Sequence, residues 1–309
     1  MPRWLRIVAL VTAGIAAVAF AGWRWLTAPE APPERSNYVI DLERIRELAE
    51  ETPGPRPSAL RSLLVADAQL PRAAVFAGES FEPHTMVHQV FQVVWPDRFL
   101  LVDVGFSPAF YAEQMEGGTY QPAAWDALQP AFAAAENIVI THEHGDHLEG
   151  IARYAEPETL VGRLWFSRAQ LGNDSRLDAV DFPAPLREKL EPFEDEDPIP
   201  AGRGVVILKA AGHTPGSQMV YVHLASGTEL LLLGDVAWHL DQIRDLHYRP
   251  RLVTDWFLGE DRTAVLHQFR ALHDLMAAEP AIELVPSHDP DVRARLVASG
   301  ALTEGLAAP

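Results

Sequence analysis

The 309-residue sequence contains no cysteine, which removes disulfides, thiol nucleophiles and thiolate metal ligands together. Any metal site must then be built from histidine and carboxylate, and the absence also fits an oxidising compartment. Basic residues are scarce. Lys and Arg number 25 against 43 Asp and Glu, giving a formal charge of -18 and a pI near 5.0. A surface this acidic repels phosphate backbones, so no nucleic-acid partner is expected. No internal repeat is visible at the level of sequence identity, although strands followed by helices recur weakly in the two halves. What remains is the make-up of an ordinary globular protein, with 48% hydrophobic and 22% charged residues. The length allows one large domain or two small ones.

One stretch departs from that average. Ile7 to Trp23 is 17 residues without a charge, preceded by Arg3 and Arg6 and followed by Arg24. Trp4, Trp23 and Trp25 stand at its ends, where interfacial aromatics belong. This is the form of a signal anchor or signal peptide over residues 1–26, with Ala19-Phe20-Ala21 as a signal-peptidase site if it is cleaved. The arginines before the run predict a cytoplasmic N-terminus, with the bulk of the chain at the periplasm or exterior. Residues 27–60 are expected as a linker and a short helix: Thr27 to Ser36 is proline-rich, and Asp41 to Glu50 has amphipathic spacing.

From residue 61 to 309 a single folded domain is expected. Strands are predicted at Ala73 to Ala77, Met86 to Val94, Phe99 to Val104, Leu160 to Phe166, Gly204 to Lys209, Met219 to Leu224, Glu229 to Leu233 and Ile282 to Val285. Helices are predicted at Pro108 to Met115, at Ala123 to Ala135 with a kink or break at Pro130, and at Asp261 to Ala277. The acidic run Glu194-Asp195-Glu196-Asp197 reads as a solvated loop.

The chemistry concentrates after the β-branched run Asn137-Ile138-Val139-Ile140, a buried strand by composition. Thr141-His142-Glu143-His144-Gly145-Asp146-His147 then places three histidines and two acids within six positions. His142 and His144, two apart in extended backbone, point the same way. Gly145 permits a sharp bend, and Asp146 and His147 open a helix. Imidazole nitrogen and carboxylate oxygen are the ligands that Zn²⁺ and similar ions accept. Three further strand ends carry one potential ligand each: His213, Asp235 and His288. Strand-end loops on one rim of a layered domain are where sites assemble.

This set resembles the metallo-β-lactamase fold hydrolases, over roughly Ala73 to Asp289. The family pattern His-X-His-X-Asp-His stands here as His142, His144, Asp146 and His147. The resemblance implies an αββα sandwich preceded by the N-terminal hydrophobic helix. It implies one metal held by His142, His144 and His213, a second by Asp146, His147 and His288, and Asp235 bridging them. Asp103, at the end of an early strand, would support the site from behind. Two divalent ions, zinc first with iron or manganese as alternatives, would acidify a shared water and polarise a carbonyl or phosphoryl oxygen. Asp146, beside that water, would orient the nucleophile and pass a proton to the leaving group.

A small-molecule substrate is implied, and its class is narrower by comparison within the family. β-Lactamases carrying Gly-His-Thr-Pro-Gly-Ser generally lack an acid where Asp235 stands. Glyoxalase II-type thioesterases and lactonases keep all seven ligands. Lactonases tend to place a tyrosine where this chain has Trp238, whose indole donates a hydrogen bond but is no acid. A lactonase-like hydrolase is the leading reading, with a thioesterase or β-lactamase-like hydrolase as alternatives. From another class, a catalytically silent, membrane-tethered metal-binding domain is the alternative. Trp238 and His239 follow Asp235 and are expected to face the cleft. His84, His88, His223, His247, His267 and His273 read as structural or surface residues. The sequence leaves the oligomeric state open.

Overall fold

Residues 2–194 and 198–307 are described by the structure, a computed structural model. Of the acidic run, Asp195, Glu196 and Asp197 lie outside the described residues. Among the described residues, eleven strands form two sheets. They are β1 (Ala59–Pro71), β2 (Pro83–Val94), β3 (Phe99–Val102), β4 (Asn137–Val139), β5 (Leu164–Trp165), β6 (Ile199–Pro200), β7 (Val205–Lys209), β8 (Gln218–His223), β9 (Glu229–Leu232), β10 (Ile282–Val285) and β11 (Thr303–Glu304). The first sheet runs β11-β1-β2-β3-β4-β5 and the second β10-β9-β8-β7-β6.

The sheets face each other through one apolar layer. Phe91, Leu100, Val102 and Val139 of the first meet Ile207, Val220, Leu232 and Val285 of the second. The outer face of the first sheet buries Val90, Leu101 and Ile138 with Leu128 and Phe132 of helix Pro122–Ala134 and Leu148 and Ile151 of helix Gly145–Ala152. The outer face of the second buries Val206, Tyr221 and Leu231 with Ile45 and Leu48 of helix Leu42–Glu51 and Leu266 and Phe269 of helix Arg262–Ala278. Strands β3, β4, β8, β9 and β10 thus bury both faces, which is why their sequences read as apolar runs. The architecture is the expected αββα sandwich.

Several expectations need correction. The longest strand, β1, was not foreseen, and the strand expected at Ala73 to Ala77 is instead a helical turn, Arg72–Val75. β1 pairs with β2 from Ala59↔Val94 to Pro71↔Pro83 with a register shift between Leu64 and Ala66, so its alternation breaks in the middle. Pro71 then ends it, because a prolyl nitrogen cannot continue a ladder, and Arg72-Ala73-Ala74 are good helix formers. Only Leu164–Trp165 of the expected strand from Leu160 is extended; a 3₁₀ turn at Pro157–Leu160 precedes it. Helix Pro122–Ala134 runs through Pro130 without interruption.

Ahead of the domain stands helix Arg3–Thr27, 25 residues with no buried residue, long and apolar enough to cross a membrane. The proline-rich stretch behind it is not a free linker. Glu30 pairs with Arg251 at 2.6 Å and Arg262 at 2.8 Å, and the Ser36 hydroxyl donates to the His267 carbonyl at 2.7 Å.

Candidate metal centre

β3, β4 and β5 are parallel, as are β9 and β10, so the chain leaves several strands in one direction. Their exits and the β7–β8 turn supply Asp103 and every expected metal ligand. Asp103 follows β3, the histidine-rich stretch follows β4, His213 lies in the β7–β8 turn, Asp235 follows β9 and His288 follows β10. The stretch after β4 is pinned to the turn beside it. Glu143, fully buried, accepts from the Thr214 hydroxyl at 2.7 Å, the Asn173 amide at 2.8 Å and the Gly216 N–H at 3.2 Å. Gln170 and Gln218 both donate to the Ile140 carbonyl, at 2.7 and 2.6 Å.

Two adjoining groups of donor atoms result. In the first, His144 Nδ1 lies 3.0 Å from His142 Nε2 and 2.9 Å from His213 Nε2, with Asp235 Oδ2 at 3.8 and 3.6 Å from those two Nε2 atoms. In the second, His147 Nε2 lies 3.3 Å from Asp146 Oδ2 and 3.4 Å from Asp235 Oδ1. His288 Nε2 lies 3.6 and 3.0 Å from the same two oxygens. Asp235 thus offers one oxygen to each group. Four donors about 2.0–2.1 Å from a tetrahedral ion stand roughly 3.4 Å apart, so both spacings fit such an ion.

Proton positions make the case stronger. His147 Nδ1 faces Asp103 Oδ2 at 2.8 Å, His213 Nδ1 faces Glu260 Oε1 at 2.6 Å, and His288 Nδ1 faces the Val87 carbonyl at 2.8 Å. A carboxylate and a carbonyl can only accept, so each Nδ1 carries a proton and Nε2 is the atom that each ring turns inward and would offer to a metal. His147 Nε2 and Asp235 Oδ1 are buried with no hydrogen-bond partner. Nitrogen donors and carboxylates converging with a single indole N–H among them call for cations, and histidine and aspartate fit two divalent ions.

The electrostatics follow the same division. Burial, and then the neighbouring imidazoles, hold His142 and His144 well below the ordinary histidine range. Burial acts downward on His147 and His288 too, but carboxylates outweigh it: Asp146, Asp103 and Asp235 around the first, Asp235 and Asp146 around the second. Asp146 and Asp235 resist the upward push of burial because histidines surround them, and both stay well below the carboxylate range.

No family profile and no curated protein sequence matches the chain. Solved structures do. A quorum-quenching N-acyl homoserine lactone lactonase is 16% identical, with 76% of this chain and 94% of that one superposing at TM-score 0.61. AidC, a dizinc quorum-quenching lactonase in complex with its product, is 16% identical over 77% and 90% at TM-score 0.54. The hydrolase AbOPH of the β-lactamase superfamily is 14% identical over 78% and 92% at TM-score 0.55. The chain has the metallo-β-lactamase fold.

Within this metallo-β-lactamase fold, a cleft of about 850 Å³ opens over the second donor group and is lined by His88, Asp146, Trp238 and His288. His88 is a correction to its reading as a structural or surface residue. Its Nδ1 lies 3.3 Å from Asp146 Oδ2, and its ring lies edge-on to His288 at 4.6 Å. It arrives from the middle of β2, where no strand end advertises it. His239 is a correction of the opposite kind. It is absent from the cleft lining and caps helix Leu240–Arg244, its Nδ1 accepting from the Asp241 N–H at 3.2 Å. Trp238 lines the cleft, but its indole N–H is already committed to Asp235 Oδ2 at 2.8 Å.

Gly145 has no positive φ, so the expected bend does not explain it. A Cβ there would meet the Phe110 ring at 2.6 Å; close packing demands the glycine. Two further residues escaped the sequence reading. Arg249, fully buried, pairs with Glu260 at 2.7 Å and stacks on the Trp238 ring at 4.6 Å. It therefore joins the carboxylate behind His213 to the indole behind Asp235.

Proposed function

We propose that the protein is a metal-dependent hydrolase that opens an ester-type bond, with lactones as the leading substrate class. The observation that carries this reading is the convergence of nitrogen and oxygen donor atoms from His142, His144, His213, Asp235, Asp146, His147 and His288, of which His144, Asp146, Asp235 and His288 line an open cleft. When bound, a pair of divalent ions, zinc first given an all-nitrogen and oxygen donor set, would acidify water and polarise a substrate carbonyl. The chain's own residues do the rest. Asp146 Oδ2, at the cleft floor, orients the attacking water, takes its proton and returns it to the leaving oxygen. His88 Nδ1, 3.3 Å from the same Asp146 Oδ2 that His147 Nε2 approaches, holds that carboxylate in place. Trp238, its N–H engaged by Asp235, shapes the cleft wall and leaves the substrate carbonyl to other partners. Solved structures of this fold include lactonases holding N-acyl homoserine products, one with the product at the catalytic metal centre, and these support lactones over thioesters or β-lactams. The helix Arg3–Thr27 is proposed to tether the domain on the outer side of the cytoplasmic membrane.

The test assays the purified full chain, reconstituted with Zn²⁺, against lactones, thioesters, phosphodiesters and β-lactams. Lactone opening that is abolished by chelation and restored by metal is expected. Asp146→Asn should lower turnover by about 10² to 10⁴ with folding retained. A fully metallated protein that opens none of these substrates would be a metal-binding domain and not a hydrolase.

A further inference from the structure

The metal cleft shares an edge with an apolar surface that the proposed reaction leaves unexplained. Phe81, Trp256 and Phe257 are each 73% exposed. Trp256 and Phe257 belong to the helical turn Thr254–Leu258, which continues directly from Arg251–Val253. That segment is fastened to the base of the N-terminal helix: the Arg251 guanidinium lies over the Trp25 ring at 5.0 Å. Phe81 belongs to the loop between the helical turn Arg72–Val75 and β2, and a Cβ on Gly78 of the same loop would meet Pro29 Cδ at 3.3 Å. Trp256 and Phe257 therefore flank the point where the exposed apolar helix leaves the domain, and exposed Phe81 follows three residues after the glycine that meets Pro29 there.

The charges around that point cancel one another. Glu30 pairs with Arg251 and Arg262, and Asp255 lies 3.5 and 3.8 Å from the same two arginines. The otherwise acidic surface thus presents here an aromatic rim with paired charges beside Trp256 and Phe257, while beside Phe81 Glu79 lies 3.5 Å from Arg72 and Glu82 is exposed. The geometry also leads inward. Leu258, next to Phe257, lines the metal cleft together with Leu70, Pro71, Met86 and Trp238. An apolar path connects the rim to Asp146 and His288.

We propose that Phe81, Trp256 and Phe257 rest in the headgroup layer of the bilayer entered by helix Arg3–Thr27, so that the cleft opens at the lipid surface and receives acyl-chain amphiphiles from it. Aromatic rings with apolar bodies are favoured at that depth, and self-paired charges remove the cost of approaching it. The tether leaves little freedom for another arrangement. Glu30 and Ser36 hold the chain to the domain within ten residues of the helix end, so a membrane around the helix lies against this rim. The substrate half of this proposal rests on the hydrolase reading; the surface half does not.

The natural absence of cysteine makes site-directed labelling clean. Phe81→Cys, Phe257→Cys and, as a control in the exposed β8–β9 turn, Ser226→Cys are each labelled with a nitroxide in the full chain and reconstituted in phosphatidylcholine vesicles. Collisional relaxation by oxygen should exceed that by a water-soluble nickel chelate at 81 and 257, and the order should reverse at 226. Labels at 81 and 257 as open to nickel as that at 226 would overturn the surface. So would shielding that grows with protein-to-lipid ratio, which marks a second copy as the occupant. For the substrate, the double variant Trp256→Ser/Phe257→Ser should lower kcat/KM for a long-chain acyl lactone in vesicles by about tenfold, and for a short soluble ester by less than about twofold. Equal losses would overturn the substrate half. A chain that turns over neither compound would overturn the hydrolase reading and leave the depth measurement standing.

Discussion

Asp103→Asn tests the proton logic of the metal centre with a change of one heavy atom. Asp103 is buried at φ 65°, a left-handed conformation that asparagine accepts more readily than most residues, so the exchange adds no backbone strain. The carboxylate accepts from the Thr141 N–H at 2.7 Å, the Thr141 hydroxyl at 3.0 Å and His147 Nδ1 at 2.8 Å. If the amide oxygen keeps the Thr141 N–H, the new amide donor faces His147. That ring must then accept at Nδ1 and carry its proton on Nε2, the atom aimed at Asp146 and Asp235. A protonated nitrogen cannot ligate. The opposite amide orientation sets two donors against each other at Thr141 and leaves a buried group unsatisfied, at a cost of about 1–3 kcal/mol. Metal affinity of the second group should fall about 10–100-fold, the usual loss when the partner of a ligating histidine is altered. The first group, none of whose ligands touches Asp103, should be unchanged. Zinc competition against a chromophoric chelator resolves the two sites. Two sites that both bind within about twofold of the unaltered protein would refute the tautomer argument.

Arg249→Met should lower stability by about 3–5 kcal/mol, because Glu260 would keep its buried charge with only His213 and Tyr248 beside it. Urea unfolding checks this, and a loss below about 1 kcal/mol would show that the pair is not desolvated. Glu229 gives a pH prediction. The Arg46 fork at 2.8 and 2.6 Å, aided by the Tyr221 hydroxyl, outweighs burial and keeps its carboxyl below the ordinary 4.5. A depressed carboxylate adds stability in full above its unfolded value and loses it as pH falls toward its folded one. The gap in melting temperature between the unaltered chain and Glu229→Gln should therefore be flat above about pH 5 and narrow below it; a gap that widens on acidification would contradict the assignment.

The site was more legible in the sequence than the fold, and the reason is physical. Its donors sit at strand ends, so each is announced locally by an apolar run that stops at a histidine or aspartate. Asp103 also stands at a strand end, but its role was implied only by the family resemblance. His88, Arg249 and Glu260 carry no such announcement. His88 is one of several polar residues on β2, beside Gln89 and Gln92, Arg249 and Glu260 are ordinary charges in loop sequence, and each gains meaning only from a partner distant in the chain. His239 shows the converse error: adjacency to Asp235 suggested the cleft, but a new helix begins at Leu240 and takes the imidazole as its cap. β1 was missed because its register shift breaks the two-residue alternation by which a strand is recognised, although twelve paired positions hold it to β2. What a single strand end can show is that a ligand is available. Which nitrogen of each ring turns inward is decided by acceptors brought from other segments (Asp103, Glu260 and the Val87 carbonyl), and that choice is what turns a cluster of histidines into a site fit for metal.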